Sequence, residues 1–252
     1  MNYITLTQDN LDKEHICCVF GGKNQPGEDL KRAWLRERIK EGLNFTKLDA
    51  KAKVFIEYIP AEYAWRPVEA PNYFFIHCLW VSGRYKGNGH AKELLDLCIE
   101  DARKQGKSGI CVVTGRKMPY ITENKFYQRH GFEIVDTAPP YFELAALKLD
   151  ESAPDPKFSE SAKSLECEIK NGVAIYYTDQ CPYTEFYINE MAGAAIEREL
   201  HYELIKINST DEARNVGSAF GTAAIYLNGK FISHKIDTKK SFGKLLDKCL
   251  EK

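Results

Sequence analysis

The eleven residues Ser82-Gly83-Arg84-Tyr85-Lys86-Gly87-Asn88-Gly89-His90-Ala91-Lys92 join an apolar strand-like run to a helix-like one. Their three glycines permit positive φ and close backbone approach, so successive N–H groups can converge on an anion at the N-terminus of the following helix. Arg84, Lys86 and Lys92 add three cations, and no carboxylate interrupts them. A diphosphate is the ligand such a loop suits; without one, the same glycines form only a strand-to-helix turn. The spacing is GxxxGxG, so it is neither the GxxxxGK[ST] of a P-loop nor the GxGxxG of a dinucleotide fingerprint.

Four other side chains have types that do chemistry. Glu57 in KVFIEYI and His77 in YFFIHCLWV fall on predicted central strands, where either could take a proton from an amine directly or through water. The more ordinary reading of the two is a strand carboxylate and a satisfied core histidine. Tyr127 offers a phenol as a general acid, or a core aromatic beside Phe126. Cys181 stands where a predicted strand gives way to a helix, and a helix N-terminus favours the thiolate, so it is a possible redox thiol. The eight cysteines are scattered with no CxxC or CxxxH pair, so no zinc site and no other metal is expected. The opening MNYITLTQDN lacks the basic start and apolar run of a signal peptide, which makes reduced thiols and a cytoplasmic location the expectation.

The loop also fits R-x-x-G-x-G/A, as Arg84-Tyr85-Lys86-Gly87-Asn88-Gly89, and a second segment, Phe126-Tyr127-Gln128-Arg129-His130-Gly131-Phe132, fits F-Y-x-x-x-G-F. Together, in this order, they resemble the GNAT N-acetyltransferases. Tyr120 stands where that family often has an asparagine, and Asn124 lies nearer. The resemblance implies a mixed sheet splayed between the strands Tyr73–Val81 and Gly109–Gly115, with the pantetheine arm of acetyl-CoA in the gap. Backbone groups of Leu79, Trp80 and Val81 would pair with that arm, and an amide near Val81 would stabilise the oxyanion. The amides from Arg84 through Tyr85, Lys86, Gly87, Asn88, Gly89, His90 and Ala91 would hold the diphosphate, and Tyr127 would protonate the departing thiolate. Acetyl-CoA is then the acyl donor, and the acceptor is a small-molecule or peptide amine.

The elements that must position these residues occupy a chain of 252 residues with 35 Lys plus Arg against 36 Asp plus Glu, a net charge of −1. At 44% hydrophobic and 12% aromatic it should fold compactly, and its neutral balance argues against a nucleic-acid partner. The longest apolar run, Tyr73–Val81, is nine residues, too short for a bilayer, so no membrane partner is expected. The stretch LDESAPDPKFSESAKS has no apolar periodicity and reads as a linker. The expected division is residues 1–150, a linker over 151–168 and a second domain over 169–252. In the first, a helix over DLKRAWLRERIKEG has Ala33, Trp34, Leu35 and Ile39 as its core-side candidates, and strand character is expected around Ile16–Phe20.

Behind the linker the expected order is βαβαββα, with a hairpin at Asn228-Gly229. This arrangement resembles the thioredoxin fold, with Cys-Pro-Tyr-Thr for the usual Cys-x-x-Cys and no proline in Gly221-Thr222-Ala223-Ala224. Over nearly its full length the chain resembles the YoaP-like family of bacterial acetyltransferases, in EHICC, KVFIEYIPAEYAW, YYTDQCPYTEFY and YLNGKFISHKI. The fold class expected is α/β (α+β): a GNAT-type mixed sheet flanked by helices, then a smaller thioredoxin-like domain. The aromatic-rich stretch Tyr58–Tyr73 is expected to form part of the acceptor site. Two competing functions are a non-catalytic CoA-binding sensor or adaptor and a monothiol redox protein centred on Cys181.

Overall fold

Tyr73–Val81 is apolar at almost every position because the strand it forms lies in the middle of a sheet covered on both faces. The computed structural model describes residues 2–16, 26–115 and 121–251. The first half runs β1 (Tyr3–Thr5), α1 (Pro26–Lys40), β2 (Asn44–Leu48), β3 (Val54–Pro60), β4 (Val68–Glu69), β5 (Tyr73–Val81), α2 (His90–Lys104), β6 (Gly109–Gly115), α3 (Asn124–Gln128), β7 (Glu133–Ala138) and β8 (Phe142–Lys148). Seven of these strands form one mixed sheet in the order β1-β2-β3-β5-β6-β8-β7, with β5 and β6 parallel. Of the strand expected around Ile16–Phe20, Ile16 is buried but outside any strand, and Cys17–Phe20 lie outside the described residues.

Helix α2 covers one face of the sheet through Leu94, Leu95, Cys98 and Ala102, packed with Ile56, Phe74 and Ile110. Helix α1 lies against the other. Trp34 and Leu35 point inward as expected, but Ala33 is exposed, and Lys31 takes the place on the buried stripe. The 3.6-residue period explains the change: Lys31, Trp34 and Leu35 are spaced i, i+3, i+4 and share one face.

Residues 151–168 contain β9 (Lys157–Phe158), paired with β4 through Val68↔Phe158, and α4 (Glu160–Ser164). Each buries one apolar residue fully, Phe158 and Ala162, which is too little to leave a periodicity in the sequence. The second half runs β10 (Val173–Tyr177), α5 (Thr184–Ile196), β11 (Tyr202–Lys206), α6 (Thr210–Arg214), β12 (Ala223–Leu227), β13 (Lys230–Ser233) and α7 (Lys239–Leu250), with strand order β11-β10-β12-β13. Asn228 and Gly229 both have positive φ, as the tight hairpin turn requires. One face of this sheet is covered by α5 and α7 through Ile188, Met191, Phe242 and Leu246. The other face joins the first half: Ala174, Ala224 and Tyr226 belong to the same apolar cluster as Trp34, Phe75 and Phe142.

The junction is tight. A Cβ on Gly27 of α1 would stand 1.8 Å from the carbonyl oxygen of Pro182, and one on Gly221 would stand 2.6 Å from that of Trp65. Polar contacts add to it: Tyr141 Oη and His234 Nδ1 lie 2.7 Å apart, and Arg214 donates to the Glu62 carbonyl at 2.6 Å. Among the described residues no helix is long and apolar enough to cross a membrane, and no cluster of three or more His, Cys, Asp or Glu could hold a metal ion.

Candidate active site

Strands β5 and β6 pair only from Tyr73↔Gly109 to Ile76↔Val112. Beyond that β5 continues to Val81 and β6 to Gly115 without pairing to each other, so the strands part and one edge of β5 is left open. The parting coincides with a register shift between β3 and β5: Glu57 faces Cys78 and Tyr58 faces Ile76, which leaves His77 as the extra residue of a β-bulge. The His77 side chain is fully buried while the residue as a whole is partly exposed, so it is main chain that faces the gap. A small cavity of about 40 Å³ occupies the gap, with His77, Cys78, Leu79 and Trp80 on one side and Val112, Val113 and Tyr127 on the other.

The glycine loop begins directly after Val81. Gly87 and Gly89 have φ of +80° and +84°, and a Cβ at either would meet nothing within 4 Å. Glycine is therefore required there by backbone conformation, and the space above the loop is open. Gly89 caps α2 without a side-chain bond. Among the described residues the six N–H groups from Gly87 to Lys92 have no hydrogen-bond partner, a cradle of donors at a positive helix end. The Tyr85 and Lys86 amides are instead used within the loop, bonding Ser82 and Gly83 carbonyls. The Arg84 guanidinium stacks on Tyr85 and stays exposed; Asn88 bonds the Arg84 carbonyl; the His90 ring is buried against Tyr3. Lys92 pairs with Asp96 at 2.6 Å, so its charge is partly neutralised.

Tyr127 lies on α3, is 1% exposed, and closes the far side of the gap. Burial pushes its phenol far above the ordinary range, and Thr122 is its hydrogen-bonding neighbour. The resting phenol is thus protonated at any working pH.

On the other side of β5 a second cavity of about 430 Å³ lies between the two halves of the chain. Arg66, His77, Cys78, Trp80 and Phe220 line both spaces, so the gap and the larger cavity meet at the bulge. The wall contributed by the second half includes Gln180, Cys181, Pro182, Tyr183 and Thr222. A buried polar chain runs along it. Lys31 Nζ donates to Glu57 Oε2 at 2.5 Å; Gln180 Nε2 donates to Glu57 Oε1 at 3.2 Å; His77 Nδ1 lies 3.3 Å from the same oxygen. Arg66 then donates to Gln180 Oε1 at 2.8 Å and to Thr222 Oγ1 at 3.0 Å. The Trp65 amide, which can only donate, points at His77 Nε2 at 3.3 Å, which places the ring proton on Nδ1 facing Glu57.

The electrostatics of this chain follow from its burial. Burial alone would raise the Glu57 carboxyl, but attraction to Lys31 and the contact with His77 outweigh it and hold it at about 2. Burial lowers His77 to about 4 despite Glu57, so it is neutral at physiological pH. Both shifts remove protons from the folded state relative to the unfolded chain. The sign follows: His77 costs stability as pH falls from its ordinary 6.5 toward 4, and Glu57's contribution, complete above its ordinary 4.5, is lost as pH falls toward 2. The urea midpoint is expected to fall from pH 7 to pH 4, with His77 contributing roughly 3 kcal/mol of the loss. His77→Gln should flatten that slope, and an equal slope in this variant would contradict the assignment.

Glu57 and His77 are therefore brought together, and both reach the larger cavity. Cys181 reaches it too, beside Lys31's helix, but burial raises its thiol above the ordinary value, outweighing the Tyr183 amide, Lys31 and Thr184, which act to lower it. The turn ahead of α5 packs on Gly27 of α1, and this docking outweighs the helix end. Sequence reasoning missed Lys31, Arg66 and Gln180. Lys31 had a signal, its i, i+3, i+4 phase with Trp34 and Leu35. Arg66 lay inside the stretch Tyr58–Tyr73, while Tyr63 of that stretch is exposed. Gln180 had no signal, since its partners lie 114 and 123 residues away.

A seven-stranded mixed sheet with two parallel central strands parting over a glycine-bearing helix end defines the class. The chain belongs to the GNAT family of acetyltransferases. The Acetyltransferase (GNAT) family matches residues 9–132, and the family described as YoaP-like matches residues 202–244. The particular relative is the protein called Uncharacterized N-acetyltransferase YoaP of Bacillus subtilis (strain 168), 42% identical over 249 residues, 98% of this chain and 99% of that one. Among solved structures, the ribosomal-protein-alanine N-acetyltransferase from Brucella melitensis is similar at 15% identity and a TM-score of 0.43, over 59% of this chain and 100% of that one. A PaiA N-acetyltransferase from Thermoplasma acidophilum in complex with coenzyme A is similar at 15% identity and a TM-score of 0.38, over 59% and 99%.

Proposed function

We propose that this protein transfers the acetyl group of acetyl-CoA to a primary amine that enters the cavity between its two halves. The observation that carries the reading is the parting of β5 and β6, open toward a cradle of six unpaired N–H groups at one end and toward the cavity at the other. The diphosphate of the donor sits at Gly87 to Lys92, with Arg84 and Lys86 nearby, and the pantetheine arm runs along the unpaired edge of β5 beside Leu79, Trp80 and Val81. No metal takes part in this scheme. Fixing thioester and amine together supplies the proximity on which such reactions depend.

The amine attacks the thioester carbonyl, the oxyanion accepts from a β5 amide near Val81, and the tetrahedral species collapses as the C–S bond breaks. The thiolate takes its proton from Tyr127, which recovers one through water from the proton the amine releases. The amine's proton passes to water; Glu57 and His77, both unprotonated at neutral pH, stand nearby with their acceptor atoms engaged by Lys31, Gln180 and the Trp65 amide. Neither is a strong base at about 2 and about 4, so the rate is expected to rise with pH along the amine's own ionisation, without an inflection near 6.5.

Amine-dependent release of the CoA thiol tests the reading. Tyr127→Phe should keep acetyl-CoA affinity and lower kcat about 100-fold, the scale of one general acid. Unchanged kcat in a folded Tyr127→Phe protein would remove the acid role, and acetyl-CoA binding with no release across a broad amine panel would favour the sensor.

A further inference from the structure

Arg66 is the one guanidinium among the described residues lining the larger cavity, and it is only 3% exposed. Its three hydrogen bonds go to neutral oxygens: the Trp65 carbonyl at 2.7 Å, Gln180 Oε1 at 2.8 Å and Thr222 Oγ1 at 3.0 Å. Of five N–H groups, three are used, and among the described residues no carboxylate pairs with it. Burying a cation this way is costly unless an anion completes it. Glu57 attracts it through space but makes no ion pair with it, because Lys31, Gln180 and His77 already surround its two oxygens. Among the described residues lining the cavity the one carboxylate is Glu57, which Lys31 already pairs at 2.5 Å. The rest of the wall is mostly apolar, with Trp80, Tyr183, Tyr187 and Phe220 beside the polar Ser82 and His234.

Arg66 also sits where the cavity meets the gap. An anion held there brings an amine two bonds away to the bulge at His77 and Cys78, where the thioester end of the donor is proposed to lie. We infer that the acceptor is a small α-aminocarboxylate with an apolar side chain, its carboxylate paired with Arg66 and its side chain among the cavity's aromatic residues. The cavity, at about 430 Å³, falls in the range of small-molecule sites, which excludes a folded protein substrate from its interior. Arg–carboxylate pairing is bidentate and charge-assisted, and Nε with the second Nη2 hydrogen offers the two donors it needs.

This inference rests on the acetyl-transfer reading, and matched substrates separate the two. Thiol release by the full-length protein is compared for L-phenylalanine against phenethylamine and for L-leucine against isopentylamine. Each aminocarboxylate should exceed its decarboxylated partner at least 100-fold in kcat/KM. Arg66→Gln should erase that preference by raising KM for the aminocarboxylate at least tenfold more than KM for its decarboxylated partner, and Arg66→Lys should recover part of it. Should Arg66→Gln fail to fold, the wild-type comparison decides alone. Equal or faster turnover of the plain amines overturns the inference while acetyl transfer stands, as does a KM change confined to acetyl-CoA. If no amine is acetylated, acetyl transfer falls; the inference is then decided by calorimetric titration of the wild type with the same four compounds, and it fails unless the aminocarboxylates bind at least tenfold tighter.

Discussion

Gly89→Glu is expected to bind acetyl-CoA at least 100-fold more weakly than the wild type in a calorimetric titration, with the protein still folded. Two effects act together. Gly89 has φ +84°, a conformation that costs an L-residue roughly 1–2 kcal/mol, so the loop must shift to accept a side chain. The new carboxylate also lies among the N–H groups from Gly87 to Lys92, where it would satisfy the donors proposed for the diphosphate and repel that charge. Folding should survive because a Cβ there meets nothing within 4 Å. Gly89→Ala carries the strain without the charge and should fall between the two. Unchanged affinity in Gly89→Glu would remove the diphosphate from this loop.

The second large effect belongs to the buried polar chain. Glu57→Leu should lower the unfolding free energy by about 3–5 kcal/mol, because it leaves Lys31 buried with no counter-charge and Gln180 Nε2 with no acceptor. That is a large fraction of the roughly 5–15 kcal/mol that holds an ordinary domain folded. Lys31→Met with Glu57→Leu should recover most of the loss, since replacing both partners removes the stranded charge. Acetyl transfer should not return with it if Glu57 takes part in proton removal. Urea titration of the two singles and the double gives the coupling, and a cost below about 1 kcal/mol for Glu57→Leu would mean that the pair is solvated in solution.

These two sites were unequally legible. The loop could be read because its chemistry is contiguous: glycines, cations and the neighbouring strand lie within a dozen residues, and a backbone N–H cradle needs little beyond them. The nine-residue apolar run announced a strand covered on both faces, and Asn228-Gly229 announced its turn. The βαβαββα order of the second half followed from the same local signals. The larger cavity gave no such signal, because it is assembled across 114 to 156 residues of chain, as the bonds from Arg66 to Gln180 and Thr222 show. Charged residues are ordinarily read as solvent-facing; Lys31 and Glu57 are buried as a pair, and Arg66 is buried where Gln180 and Thr222 reach it from far along the chain. Cys181 shows the same limit from the other side: the helix end favours a thiolate, but desolvation in a turn whose Pro182 packs on Gly27 outweighs it and reverses the sign.

The placement of Gln180, Phe220 and Thr222 on the cavity wall sets an order of events during synthesis. A ribosome that has released residues through β8 has made the strands, the glycine loop and Tyr127, everything proposed for holding the donor. It has not yet made the second-half wall of the larger cavity, which is completed only by residues as late as Ile236. A nascent or prematurely terminated chain would therefore carry Arg66 without Gln180 and Thr222, with Phe142 and its neighbours stripped of the apolar cover from Tyr226. The cavity closes last, in the same step that seals the core.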